Sequence, residues 1–166
     1  MFTARYGSPV GELLLASDGE RLTGAWLAGQ SHYAAGLTGA EENAALPLFA
    51  AVRGWLDRYF AGERPAPAEL PLAPAGTAFR RAVWALLLEI PYGSVTTYGR
   101  LAEEYERVSG HRTSPRAVGG AVGRNPISII IPCHRVVGAD GSLTGYAGGV
   151  ETKRRLLKLE GCVRED

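Results

Sequence analysis

Long hydrophobic runs and cysteines are both scarce in this chain of 166 residues. No apolar stretch approaches the ~18 residues that a membrane-spanning helix needs, so we expect no contact with a bilayer. The amino terminus, MFTARYGSPVGELLLAS, lacks the basic start and uninterrupted apolar core of a secretory signal, which makes the cytoplasm the expected location. With 46% hydrophobic residues, the chain is large enough for one sizeable core or two small ones.

Metal ligands and disulfide partners are equally few. The chain has two cysteines, Cys133 and Cys162, and one possible bridge in a reducing cytosol is a weak case for a disulfide. The three histidines, His32, His111 and His134, are scattered and form no CxxC or HxxxH spacing. We therefore expect neither a structural disulfide nor a metal site.

The near-neutral charge of the whole chain conceals a difference between its halves. Residues 1–77 carry five basic and eight acidic side chains, whereas residues 78–166 carry thirteen basic and nine acidic ones. The formal net charge is therefore −3 in the first half and +4 in the second. A basic half favours a polyanionic partner such as nucleic acid, although a solvated basic surface would give the same composition.

A proline-rich segment divides the chain at the same place. Residues 63–77, ERPAPAELPLAPAGT, contain four of the ten prolines and no clear helical or strand pattern, which predicts a linker between domains 1–75 and 76–166. In the first domain, GELLLAS and RLTGAWL flank the turn SDGE and predict a β-hairpin. The segment LPLFAAVRGWLDRYFAG predicts a helix that stops at Gly62, with an apolar stripe of Phe49, Val52, Leu56, Tyr59 and Phe60.

The second domain has the pattern of several short helices. TAFRRAVWALLLEI repeats apolar residues at helical spacing and is followed by Pro91. Thr96 or Thr97 can cap the next helix, and Ser114 with Pro115 can begin a third. Two short helices joined by a turn describe a helix-turn-helix, a shape that contacts DNA in many proteins and merely packs in many all-α domains.

The third of these helices is rich in glycine. Gly119, Gly120 and Gly123 each cost roughly 1 kcal/mol relative to alanine inside a helix, so a compensating feature is expected. Either a second helix packs closely against this face, or the helix lies tightly against a bulky ligand such as duplex DNA.

Cys133 lies in the stretch NPISIIIPCHRVVGADGSLTGYAGG. ISIII is mostly β-branched and predicts a buried extended segment, and Pro132 ends any strand pairing directly before the thiol. The adjacent His134 can serve as a base, or as a cation that lowers the thiol pKa from its ordinary value of ~8.5 and favours the nucleophilic thiolate. A buried cysteine that acts only as a small apolar side chain is the alternative.

A histidine base needs a third group that fixes its orientation, and this part of the sequence has few acidic residues. The candidates are Asp140, Glu151 and Glu160. Glu160 is the strongest, because it ends the helical segment VETKRRLLKLE, where a negative charge opposes the helix dipole unless a buried partner compensates it. A solvated terminal glutamate is the alternative.

The stretch IPCHRVVGADGSLTGYAGG resembles the active-site motif of the O6-alkylguanine-DNA alkyltransferases, also called methylated-DNA–protein-cysteine methyltransferases. RAVGGAVGRNP is similar to the recognition helix of that family, and GTAFRRAVWALLLEIPYGSVTTYGRLA is similar to the segment before it. The similarity covers residues 76–161 almost continuously and extends more loosely to SPVGELLLAS and DRYFAGER. It implies an α+β fold: a small N-terminal α/β domain, ribonuclease H-like, followed by a mainly helical winged helix-turn-helix domain.

The resemblance implies a suicidal DNA repair protein. Cys133 would attack the alkyl carbon on O6 of a damaged guanine, or on O4 of an alkylated thymine, and keep the group as a stable thioether. One molecule would repair one lesion without a cofactor, and we expect it to act as a monomer on double-stranded DNA. His134 would take the thiol proton through a water, Glu160 would orient His134, and Asn125 would brace the turn that holds the thiol.

Chemistry at O6 also requires the base to leave the duplex, because a stacked and paired guanine is closed to in-line attack. By similarity, Arg116 would fill the vacated space in the base stack, and Tyr98 would crowd the 3′ phosphate and contact the extruded base. The glycine-rich helix would enter the minor groove, with Ala117, Gly119 and Gly120 against the DNA. The guanine pocket would be lined by Tyr98, Val136, Tyr146, Ala147 and Gly148.

Two features depart from the family pattern. Ala147 stands where some relatives carry a serine, so a hydrogen bond to the leaving oxygen from this position must come from the backbone N–H, and bulkier alkyl groups would fit. The segment between Tyr98 and Arg116 includes ERVSGHRTS and is longer than usual, which predicts an extended turn between the two helices. Two other functions remain open: a thiol hydrolase or acyl transferase with turnover, and a non-enzymatic sensor that binds alkylated DNA.

Overall fold

The structure, a computed structural model, describes residues 1–143 and 145–162. The chain forms two compact units: the first consists of residues 1–75 together with Pro126–Ile130, and the second of residues 76–125 and the chain from Ile131 onward. The short segment Pro126–Ile130 thus belongs to the first unit, whereas the sequence analysis placed it in the second domain.

A four-stranded sheet forms the body of the first unit. β1 (Phe2–Ser8), β2 (Gly11–Ser17) and β3 (Leu22–Leu27) are antiparallel neighbours, and the short β4 (Glu41–Glu42) pairs in parallel with β1, so the strand order is β3-β2-β1-β4. The predicted hairpin of β2 and β3 is confirmed. Since every residue of Leu13–Ser17 is buried, β2 is covered on both of its faces.

The helix α1 (Pro47–Phe60) packs within the first unit through its apolar stripe. The predicted stripe is buried, except that Phe60 at its end is only half-buried. The phenol of Tyr6 on β1 donates a hydrogen bond of 2.7 Å to Asp57 Oδ1 and ties the helix to the sheet. The chain leaves the helix through Gly62, whose φ of 88° lies in the left-handed region that glycine adopts at little cost.

The proline-rich segment 63–77 is not a free linker along its length. Pro67–Glu69 form a 3-10 turn, Leu70 is buried, and the indole N–H of Trp55 donates a hydrogen bond of 2.9 Å to the Ala66 carbonyl. Prolines disfavour regular α-helix and strand but permit packing. The sequence analysis therefore correctly predicted no α-helix or strand in this segment, and it missed the 3-10 turn and the tertiary contacts.

The segment ISIII is buried throughout, as predicted, but its predicted extended conformation is wrong beyond the first residue. Ile127 alone bridges to β3, flanked by backbone hydrogen bonds of 2.8 Å that join Ala25 to Pro126 and Ser128. The chain then turns, and Ile129 has a φ of 73°, an uncommon value for a β-branched residue. Tertiary packing therefore overrides the β propensity of these isoleucines.

The second unit consists of helices and one small ribbon. The two strands of the ribbon pair in parallel through Thr96 with Val136 and Thr97 with Val137. The mixed fold, with an N-terminal sheet unit and a C-terminal helical unit, agrees with the predicted α+β class. The elements are α2 (Ala78–Leu87), β5 (Thr96–Thr97), α3 (Tyr98–Ser109), α4 (Pro115–Gly123), β6 (Val136–Val137) and α5 (Val150–Leu159).

Local capping sets where the helix pair α3 and α4 begins and ends. The side chain of Thr97 accepts a hydrogen bond from Arg100 N, and that of Ser114 accepts one from Ala117 N, both at 3.1 Å. Gly110, with a φ of 75°, closes α3 in the left-handed conformation. These caps confirm the predicted helix-turn-helix pair.

In the second unit, α2 supports α4 through a specific polar contact. The indole N–H of Trp84 donates a buried hydrogen bond of 2.8 Å to the carbonyl of Ala121. Within residues 1–143 and 145–162, none of the helices combines the length and the apolar composition of a membrane-spanning segment.

Candidate active site

Cys133 lies at the start of a 3-10 turn, Cys133–Arg135, that follows Pro132. Cys133 is only 4% exposed to solvent. The buried side-chain amide of Asn125 donates a hydrogen bond of 2.8 Å to the carbonyl of Ile131, two residues before the cysteine.

His134 reaches a carboxylate that is remote in sequence. Its Nε2 lies 2.6 Å from Glu160 Oε2, and both side chains are fully buried. Because a carboxylate only accepts hydrogen bonds, Nε2 is the donor and Nδ1 of the neutral ring keeps its lone pair. Nδ1 is buried and has no hydrogen-bond partner within residues 1–143 and 145–162.

Arg135 is a third member of this buried cluster, and the sequence analysis missed it. Its Nε donates to Glu160 Oε1 at 2.8 Å, one Nη donates to Oε2 at 3.2 Å, and the other donates to the Ile90 carbonyl at 2.7 Å. The backbone N–H of Gly93 adds a contact of 3.3 Å to the same carboxylate. The sequence did carry a signal, because Arg135 lies within an apolar stretch. A charged residue in such a stretch is expected to be buried, and buried charges are almost always paired.

Burial controls the protonation of the cysteine and the histidine. It raises the pKa of the Cys133 thiol, against the hydrogen bond from Asn125 and the charge of Lys153, which both lower it. It also lowers the pKa of His134, against the opposing effect of Glu160. A neutral imidazole at neutral pH can act as a base, and the expectation that a histidine cation lowers the thiol pKa is not met.

Lys153 is a second residue that the sequence analysis missed. It is fully buried on α5, and its Nζ lies 6.0 Å from the ring centroid of Tyr98. Burial lowers its pKa to about 8, while the nearby Cys133 acts in the opposite direction. On the helix it shares a buried face with Leu156, Leu157 and Glu160. The sequence signal for its burial was the helical spacing between Lys153 and the two leucines.

Tyr98 and Arg116 line an open cleft in the second unit, together with Pro115, Gly119 and Gly145. A Cβ added at Gly119 would lie 3.6 Å from the Tyr98 ring, an ordinary van der Waals distance, so the tyrosine does not by itself require a glycine at this position. Burial raises the pKa of Tyr98, and the nearby Cys133 adds to the effect.

The outward face of α4 is free of close neighbours. Ala117 and Gly120 are exposed, and a Cβ built at Gly120 or Gly123 would meet no atom within 4 Å. The packing of another helix against these two glycines, one of the two expected explanations, is therefore absent within the described part of the chain.

The other predicted pocket residues lie on the segments that flank the cysteine and α5. Val136 is fully buried on β6, Tyr146 is buried, and Ala147 and Gly148 are half-buried before α5 begins. Thr144, which belongs to the same motif, lies outside the described residues. Within them, no group of three or more His, Cys, Asp or Glu side chains could hold a metal ion.

Two family models match the chain almost end to end. Residues 1–74 match the ribonuclease-like domain of 6-O-methylguanine DNA methyltransferase, and residues 78–162 match the DNA-binding domain of the same family. The chain therefore belongs to the 6-O-methylguanine DNA methyltransferase family.

Individual relatives agree with this assignment. The methylated-DNA–protein-cysteine methyltransferase of Haemophilus influenzae is 48% identical over 96% of this chain and 86% of its own length. The protein of the same name from Methanosarcina acetivorans is 44% identical, over 97% of this chain and 99% of its own. The crystal structure of Mycobacterium tuberculosis OGT in complex with DNA superposes with a TM-score of 0.84 at 41% identity, covering 96% of this chain and 92% of that one.

Proposed function

We propose that this protein repairs DNA by moving the alkyl group of O6-alkylguanine onto its own Cys133. The observation that carries the proposal is a buried cluster in which His134 pairs with Glu160 at 2.6 Å, directly after the buried Cys133 in the chain, in a member of the 6-O-methylguanine DNA methyltransferase family. The cluster supplies a sulfur nucleophile, a neutral base beside it, and a carboxylate that orients the base. O4-alkylthymine is a second proposed substrate.

The proposed reaction begins with proton removal. His134 Nδ1 accepts the proton of the Cys133 thiol through a water, while Nε2 donates to Glu160. Because burial raises the pKa of the thiol, this base is needed, and the charge of Lys153 stabilises the thiolate that forms. Arg135 holds Glu160 in place and thereby positions the base.

The thiolate then displaces guanine from the alkyl group. A carbon–sulfur bond forms as the carbon–O6 bond breaks, and the electron pair of the broken bond stays on the guanine, which then takes up a proton. The product on Cys133 is a thioether, which has no activated bond through which the group could leave. Each molecule therefore reacts once, and no cofactor takes part.

DNA binding is proposed to place the base in the cleft of the second unit. A flipped guanine enters beside Tyr98, and Arg116 occupies the gap left in the stack. Ala117 and Gly120 face the groove, where the absence of a side chain at Gly120 permits close approach of the backbone. Val136, Tyr146, Ala147 and Gly148 complete the guanine pocket, and Asn125 braces the turn beneath the thiol.

The proposed location is the cytoplasm, since a reducing compartment keeps Cys133 as a thiol. A reagent that oxidises the cysteine would remove the nucleophile and with it the repair activity.

Mass spectrometry tests the proposal directly. After incubation with a duplex containing one O6-methylguanine, the peptide that contains Cys133 should gain one methyl group, with a yield of one per protein molecule. Cys133→Ser should gain none, and Cys162→Ser should behave as the wild type. Repeated turnover would support a thiol hydrolase or acyl transferase. Tight binding of the lesion without methyl gain would instead support a sensor.

A further inference from the structure

We propose that Gln30 is a positioning residue for the nucleophile: it holds Ser128 and thereby fixes the segment that leads into Cys133. The inference rests on the proposed function, because the reaction it concerns is alkyl transfer to this cysteine. It gives a residue of the first unit a part in that reaction.

Gln30 lies just after β3, and two donors share its side-chain oxygen. Oε1 accepts a hydrogen bond of 2.7 Å from Leu27 N and one of 3.0 Å from the hydroxyl of Ser128, which is 98 positions away in the chain. The glutamine is only 6% exposed and the serine only 3%, so both bonds lie where an unmade hydrogen bond is costly. All three residues belong to the first unit, and the glutamine fixes Ser128 to the end of the strand.

The backbone directly after Ser128 is strained. Ile130 N donates a hydrogen bond of 2.9 Å to the Ser128 carbonyl, which closes a three-residue turn around Ile129 with its φ of 73°. A turn of this kind is rare and strained, and such strain persists only where the surrounding structure imposes it. The bond from Gln30 and the bond of 2.8 Å from Ser128 N to the Ala25 carbonyl hold the chain at the start of this turn.

Cys133 follows this turn after only two residues, Ile131 and Pro132, and both are buried. Cys133 N donates a hydrogen bond of 2.8 Å to the Ile131 carbonyl, which closes a second three-residue turn. At its centre Pro132 has a φ of −81° and a ψ of 64°, the values of an inverse γ-turn, and its ring fixes φ. Two tight turns in succession leave the chain little freedom, so a shift of Ser128 is passed on to the sulfur.

The position of the sulfur matters because the displacement at the alkyl carbon is in line. A misplacement of about 1 Å can slow an oriented reaction by about 10²-fold. Asn125 holds the Ile131 carbonyl at one end of the stretch 128–131, and Gln30 holds Ser128 at the other. Without the glutamine oxygen, the strained turn at Ile129 can relax and carry the thiol out of line.

Single-turnover kinetics on a duplex with one O6-methylguanine tests the inference, because each molecule reacts once. An unfolded fraction of the protein lowers the final yield of methyl groups, whereas a misplaced thiol lowers the rate constant and leaves the yield at one per molecule. Gln30→Met keeps the length of the side chain and removes its oxygen. It should slow transfer at saturating DNA by about 10–100-fold, with an unchanged yield and an unchanged dissociation constant for the duplex.

Tyr6→Phe is the matched control. It removes another side-chain hydrogen bond of the first unit, the bond of 2.7 Å to Asp57, at a place remote in sequence from the cysteine segment. This change should lower the free energy of unfolding without slowing transfer.

Ser128→Ala is a milder variant, since the glutamine oxygen keeps its bond from Leu27 N. It should slow transfer by about 3–10-fold, the range of one hydrogen bond, and it carries the test alone if Gln30→Met does not fold. The double variant should be no slower than Gln30→Met, because the serine acts through the glutamine.

Three results are decisive. A wild-type rate constant in both Gln30→Met and Ser128→Ala, whatever the yield, would overturn the inference and leave the glutamine a structural role. Independent, multiplying effects in the double variant would also overturn it. A wild type that gains no methyl group would overturn the proposed function itself, whereas a normal wild-type yield with unchanged variant rates overturns the inference alone.

Discussion

Glu160 follows His134 by 26 positions in the chain, and its Oε2 lies 2.6 Å from His134 Nε2. The same carboxylate is held on its other side by the guanidinium of Arg135. One buried acid therefore joins the carboxyl end of α5 to the turn that carries the cysteine. This geometry connects folding and chemistry, since whatever disturbs the carboxylate also disturbs the base.

Glu160→Gln should reduce stability and activity together. The change leaves the buried Arg135 without its carboxylate, so the free energy of unfolding should fall by about 3–5 kcal/mol in urea titrations. Weaker orientation of His134 should slow methyl transfer by roughly 10²-fold or more. Glu151→Gln, an exposed position on the same helix, is the matched control and should change neither quantity. Normal transfer by a stable Glu160→Gln protein would contradict this role.

Arg135 and Glu160 should show strong coupling in a double-mutant cycle. Arg135→Gln alone leaves a buried carboxylate with less compensation, whereas the double variant with Glu160→Gln removes both charges. The double variant should therefore lose less unfolding free energy than the two single changes added together, by about 1–3 kcal/mol. Additive losses in denaturant titrations would show that the two side chains act independently.

The pH dependence of methyl transfer should report His134. Burial lowers the pKa of the imidazole from its ordinary 6.5, so the base stays neutral at pH 6.5 and transfer should slow only at lower pH. Below pH 6.5 this histidine binds a proton more readily in the unfolded chain than in the folded protein. The free energy of unfolding should therefore also decrease as pH falls through 6.5. In His134→Gln the rate should instead climb with pH into the alkaline range, following the raised pKa of the thiol. Identical profiles for both proteins would exclude His134 as the base.

Gly120→Ala should stabilise the free protein and weaken DNA binding. The added methyl group meets no neighbour, so helix propensity predicts a gain of up to about 1 kcal/mol in unfolding free energy. The same methyl group would obstruct close approach of the DNA backbone to α4. Gly54→Ala on α1, also an exposed helical glycine with open space around it, should give the gain in stability without the loss of binding. Equal DNA affinities for the two variants would contradict the proposed face.

Ala147→Ser should change the preference among alkyl groups. A hydroxyl at this position can donate to the leaving oxygen and should speed methyl transfer by about 2–10-fold, the range of one hydrogen bond. Its added volume should slow transfer from benzylated guanine relative to the wild type. Rates on methylated, ethylated and benzylated duplexes measure both effects. If the wild type already reacts relatively poorly with the larger adducts, the idea that Ala147 admits them fails.

Several elements could be predicted from the sequence because they depend on local chemistry. Thr97 and Ser114 marked helix starts because a side-chain oxygen can bond an amide three residues on, and the turn SDGE separated two apolar runs into a hairpin. The cysteine and histidine were readable as a reactive pair because they are adjacent. These features need no knowledge of distant residues.

The partners of the buried charges could be identified only in the folded chain. Arg135 and Lys153 look like ordinary basic residues in the sequence. Arg135 is buried beside Glu160, and Lys153 is buried beside Tyr98, because α5 packs on the turn that carries the cysteine. The protonation of Cys133 and His134 likewise depends on exclusion of water, which local pattern does not encode. The physical reason is the same in both cases: desolvation is a property of the folded surroundings, whereas capping and turn formation are properties of a few consecutive residues.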